Sequence, residues 1–135
     1  MTDGAIGIAE PELAKGWWLT LLIALGFGAL AAVTGLVDWL SITRGTPLWR
    51  TATTHLIVMV AANALFGLAA IFGHAGYVDG EIGTAALVLA LFGFGTLTAG
   101  GWIGGSIVYV HGMRVLGLPD EPAARAILPG RKGEQ

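Results

Sequence analysis

Hydrophobic and polar positions fall into long blocks along this chain rather than alternating. Residues 16–37 contain no charged side chain, residues 51–78 contain no acid, lysine or arginine, and residues 82–110 again contain no charge. Each block exceeds the roughly 20 apolar residues needed to cross a hydrocarbon core of about 30 Å. A water-soluble helical core would need a polar stripe on each helix, and these blocks have almost none. The pattern predicts an all-α integral membrane bundle of three transmembrane helices, at about residues 16–42, 50–73 and 82–112. Trp17 and Trp18 at one end of the first helix and Trp39 at the other stand where amphipathic rings settle at an interface. Gly45 and Pro47 mark a short turn between antiparallel neighbours, and Gly76, Asp79 and Gly80 mark the second loop. Residues 1–15 read as an acidic N-terminal segment, residues 16–117 as the membrane domain and residues 118–135 as a polar tail. That tail has room for one surface helix from Glu121 to Leu128.

Charge orients the bundle. Arg44 and Arg50 lie in the first linker, and Arg114, Arg125, Arg131 and Lys132 follow the third helix, leaving Lys15 alone on the opposite side. Basic residues collect on the cytoplasmic side, so the expected topology is N-terminus outside and C-terminus cytoplasmic. The acidic start lacks the basic region of a secretory signal peptide, so the first span is expected to remain in the mature protein. Only 12% of the residues are charged, against about a quarter in soluble domains. No basic patch lies outside the ends of the hydrophobic runs, so nucleic acid is not an expected partner. The lipid bilayer and other membrane subunits are. The chain has no cysteine, which excludes disulfides and thiolate metal sites within it.

The third block contains GGWIGGSIVYVHG, Gly100–Gly112. In lipid an unpaired backbone costs several kcal/mol per group, so such a segment stays helical despite its glycines. Small residues four apart then let helix backbones approach closely. Gly100 with Gly104 and Gly101 with Gly105 form two such pairs, and Gly28, Ala31, Ala32 and Gly35 of the first helix offer an opposing surface. Cofactor clearance is the competing reading of these glycines. If the helix persists, His111 lies within about 20° of Gly100 and Gly104 at 3.6 residues per turn, and so points into a helix contact.

Few polar groups interrupt the spans. Asp38, His55 and His111 are expected at one membrane level, with Asn63 two turns deeper than His55 and with Ser106 and Tyr109 near the end of the third helix. Ionisable residues inside membranes face the bundle interior and pair with one another. Two histidines could ligate a haem b iron axially, with a carboxylate tuning the ring; with an acid they could hold a metal ion or bond a quinone carbonyl. A purely structural role leaves Asp38 paired with His55 or Arg50, and His111 capping its own helix. The candidate cofactor-binding residues are therefore His55, His111, Asp38 and Tyr109; His74, at the opposite end, receives no role. Ser41, Thr43 and Ser106 lack a base at helical spacing, so an enzyme is not expected. Three spans without an internal repeat also argue against a transporter or channel.

The segments VTGLVDWL, THLIVMVAANALF and GGWIGGSIVYVHGMRVLG, in that order, resemble the bacterial membrane domain known as domain of unknown function 2231. The resemblance covers about residues 26–117, and its last motif is the most specific. It maps onto Gly35, Asp38, Trp39, His55, Asn63, Gly104, Gly105, Tyr109, His111 and Gly112. Some members of that family are fused to a Rieske iron–sulfur domain, which implies a place in membrane electron transfer and in the bacterial inner (cytoplasmic) membrane. Members usually begin with a further helix carrying a His-Pro-rich motif. This chain departs from them there, since it enters directly what resembles their second helix. The resulting expectation is a small non-catalytic subunit of a larger respiratory or photosynthetic electron-transfer assembly. The alternative is a haem b or quinone-binding carrier using His55 and His111.

Overall fold

The computed structural model describes residues 11–113. Three α-helices make up this region: α1 (Pro11–Ser41), α2 (Pro47–Asp79) and α3 (Thr84–Tyr109). All three are apolar enough to cross a membrane. At about 1.5 Å per residue, even the 26 residues of α3 exceed a hydrocarbon core of about 30 Å.

The ends are set by local chemistry. Thr46 caps α2 by accepting the Trp49 backbone N–H on its hydroxyl, and Pro47 occupies the first turn, where its missing N–H costs nothing. The helix runs through Gly73 and Gly76, past the expected end at residue 73, and stops only at Gly80. That residue takes the left-handed conformation at φ 78°, which glycine adopts without steric cost. The Gly76 carbonyl accepts from both Gly80 and Glu81, and a side chain at Gly76 would collide with the Glu81 carbonyl. Gly80 also abuts Pro11 at the start of α1. The first helix therefore begins at the same bundle end as the α2–α3 turn, and the helices are antiparallel. Arg44 and Arg50 lie at the other end, whereas Glu12, Lys15, Asp79 and Glu81 lie at this one. At the close of α3 the helix ends at Tyr109 rather than near residue 112. Val110 and His111 both bond to the Ser106 carbonyl, and Gly112 turns left-handed at φ 65°.

Both connections are short, so each helix packs on its neighbour in sequence: α2 touches α1 and α3, whereas α1 and α3 do not meet among the described residues. The expected pairing of the α1 and α3 small residues gives way to one in which α2 lies between them. What is buried is small: Ala14, Ala52, Ala62, Ala69, Ala70 and Ala86, with Leu21 the one larger apolar side chain. Large side chains such as Phe27, Ile71, Phe92 and Trp102 point outward. In lipid, outward burial carries no penalty and close backbone approach supplies the packing, so this inversion of a soluble core is what a bilayer favours.

Candidate functional site

The helices are joined by glycine notches that receive side chains of the neighbouring helix. On α3, a Cβ at Gly93 would lie 3.1 Å from the Phe66 ring, one at Gly100 would lie 2.6 Å from Met59 Sδ, and one at Gly104 would lie 3.0 Å from His55 Cε1. On α1, a Cβ at Gly28 would lie 2.5 Å from Asn63 Oδ1. The absent side chain leaves the space that the Asn63 side-chain carbonyl occupies. On α2 itself, Gly73 receives Trp17 and Trp18.

Polar bonds fasten the same interfaces. The Trp18 indole N–H donates to the Ala70 carbonyl at 2.8 Å, beside His74 and Tyr77. At the other end the Trp39 indole donates to Thr53 Oγ1 at 2.9 Å and lies 6.1 Å from the Trp49 ring. His55 Nδ1 lies 2.9 Å from the Gly100 carbonyl. A carbonyl only accepts, so Nδ1 carries the proton, and in the neutral ring Nε2 is left as an acceptor. His111 Nε2 lies 3.0 Å from Thr51 Oγ1. The single Thr51 hydroxyl hydrogen goes to the Pro47 carbonyl, so His111 donates through Nε2. His111 thus does point at a helix contact, carried there by the turn after α3 instead of by helical register.

A cleft of about 600 Å³ lies along α1 between Gly28 and Trp39. Its floor is α2, with His55, Met59 and Asn63; its walls are the Gly28, Ala31, Ala32, Gly35 and Asp38 face of α1 and the end of α3 around Gly104 and Ile107. Gly35 has no neighbour within 4 Å. Of the residues singled out in the sequence, Asp38 and His55 line this cleft together, with Asn63 deeper in it. His111 and Tyr109 do not line it, and Tyr109 is 88% exposed. Among the described residues no cluster of three His, Cys, Asp or Glu could hold a metal ion.

The two glycine pairs of α3 separate. Gly100 and Gly104 are filled by α2, whereas Gly101 has nothing within 4 Å and Gly105 meets only Tyr109 of its own helix. Sequence patterning gives both pairs equal weight, because it does not reveal which face α2 takes. It also misses Thr51 and Thr53 as partners of His111 and Trp39. A threonine in a transmembrane helix usually bonds its own preceding turn, as Thr53 does to Trp49, so its cross-helix role leaves no mark in the sequence.

A comparison with protein families finds a match over residues 4–117 to the family described as predicted membrane protein, DUF2231. No curated protein and no solved structure matches the chain.

Proposed function

The chain belongs to the DUF2231 family of predicted membrane proteins, and on that basis we propose that it is a small, non-catalytic subunit docking into a larger membrane assembly through the outward face of α3. One observation carries this reading: the unfilled pair Gly101 and Gly105. At 100° per residue these glycines stand roughly 100–140° around the helix from Gly100, with Thr98 close beside them. Gly101 and Thr98 are exposed, and Trp102 next to them is 82% exposed. A lipid-facing glycine pair gains nothing from acyl chains, whereas a helix laid across it gains close backbone contact.

The subunit sits in the bacterial cytoplasmic membrane with the Arg44/Arg50 end inside, in keeping with the basic bias of cytoplasmic loops. Resemblance to chains fused to Rieske domains suggests a respiratory or photosynthetic electron-transfer complex as the assembly. The two-histidine haem or quinone carrier finds less support. It needs both rings facing one volume, and only His55 lines the cleft, while His111 Nε2 is held by Thr51.

Native electrophoresis of membranes solubilised in mild detergent tests the reading. The tagged chain is expected in a band well above its 13.9 kDa, with redox-active absorbance in the same band. A monomeric chain would overturn the subunit reading, and a large band without redox absorbance would remove the electron-transfer part alone.

A further inference from the structure

We infer that the α1–α2 turn holds the phosphate of an anionic phospholipid between Arg44 and Arg50. Both arginines are exposed, and neither meets an acid among the described residues. The turn that carries them is held by its own bonds. Gly45 is left-handed at φ 81°, and the Thr46 hydroxyl donates to the Thr43 carbonyl at 2.8 Å while accepting the Trp49 N–H at 3.1 Å. At 3.8 Å per residue from 44 to 46 and 1.5 Å per residue along α2, the two Cα atoms are at most about 14 Å apart. Two extended arginine side chains close that span from either side.

Tryptophan sets the depth. Trp39 is fixed by its bond to Thr53 at 2.9 Å, and its ring lies 6.1 Å from that of Trp49. Such rings settle at the boundary between hydrocarbon and head groups. Arg44 follows Trp39 by five residues and Arg50 adjoins Trp49, so the guanidinium groups stand at the level of the lipid phosphates. A guanidinium without a protein acid there takes its acceptor from phosphate oxygens, through charge-assisted bonds. A zwitterionic lipid brings its own cation to the same place and an anionic lipid does not, so the pair selects the anionic one. Asp38, the nearest acid of α1, faces the cleft and has a partner of its own. At the opposite end Lys15 meets Glu12 and does not compete. This site is separate from the outward glycine pair of α3, and its occupancy does not depend on an assembly partner.

Purified protein would be placed in nanodiscs of mixed phosphatidylglycerol and phosphatidylcholine, which share the phosphate and differ in net charge. Retained lipid would be counted by native mass spectrometry. The basic residues beyond Met113 are common to every variant, so the change from the parent is the quantity read. The preference for phosphatidylglycerol is expected to fall roughly fivefold for each arginine changed in Arg44→Gln and Arg50→Gln. It is expected to stand unchanged in Lys15→Gln and to return when Arg44→Lys and Arg50→Lys restore the charge. A parent without the preference would overturn the inference. So would a double glutamine variant that keeps the parental preference, or one whose loss lysine does not repair.

Discussion

His55 Nδ1 donates to the Gly100 carbonyl across the α2–α3 interface at 2.9 Å, and Gly104, one turn further along α3, leaves the space in which the ring lies. A side chain at Gly104 would press on His55 Cε1. The glycine pair thus opens an α3 backbone carbonyl to a histidine, and a spacing known for close packing also becomes an acceptor site. At Gly28 a glycine likewise leaves room for a polar side chain of α2, Asn63, whose amide donates to the Met59 carbonyl of its own helix. In a bundle whose interior is mostly alanine, these notches and the bonds beside them hold the helices in register.

Gly104→Val is expected to destabilise the purified bundle by about 1–3 kcal/mol, the usual range for overpacking, as measured by reversible unfolding in mixed micelles. Gly101→Ala is expected to be neutral or to stabilise the isolated chain by up to about 1 kcal/mol, since no neighbour lies within 4 Å and alanine favours the helix. Equal losses at both positions would contradict the division of the two pairs.

At the α1–α2 contact, Gly28→Ala should cost stability because its Cβ would meet Asn63 Oδ1, whereas Gly35→Ala should not. The Gly28→Ala penalty should largely disappear in an Asn63→Ala background, which removes the obstruction. A penalty that is unchanged there, in a double-mutant cycle, would place its origin elsewhere.

The Trp39–Thr53 and His111–Thr51 bonds predict coupling energies of about 0.6 kcal/mol each and no more than about 1.7, as found for hydrogen bonds between membrane helices. The cycles pair Trp39→Phe with Thr53→Val and His111→Phe with Thr51→Val. Additive pairs would mean that neither bond contributes.

How much of this was legible in the sequence depends on which constraint wrote each feature. The three spans were legible because the bilayer demands uninterrupted apolar runs; of Asp38, His55 and His111, expected together at one level from alternating helix direction, Asp38 and His55 line one cleft and His111 does not. Helix ends were less legible. Gly73 reads as the end of the second helix and Gly76 as loop, yet both lie inside α2, because an aromatic pair and a carbonyl need the room they leave. The choice of α2 as the partner of Gly100 and Gly104 was not legible at all. Both faces of α3 are small and apolar, and only the packing of the neighbours distinguishes them.

Orientation can be read with single cysteines, because the chain has none of its own. In spheroplasts, a cysteine at Glu81 should react with an impermeant maleimide from outside, and one at Thr43 only after permeabilisation. The reverse pattern would invert the proposed topology.

The most direct test of the docking role is the size of the assembly that carries Gly101→Leu together with Gly105→Leu. The account predicts a chain that inserts and melts like the parent, since Gly100, Gly104 and His55 are untouched, but runs on native gels as a free subunit. A variant that stays in a complex of parental size would contradict it.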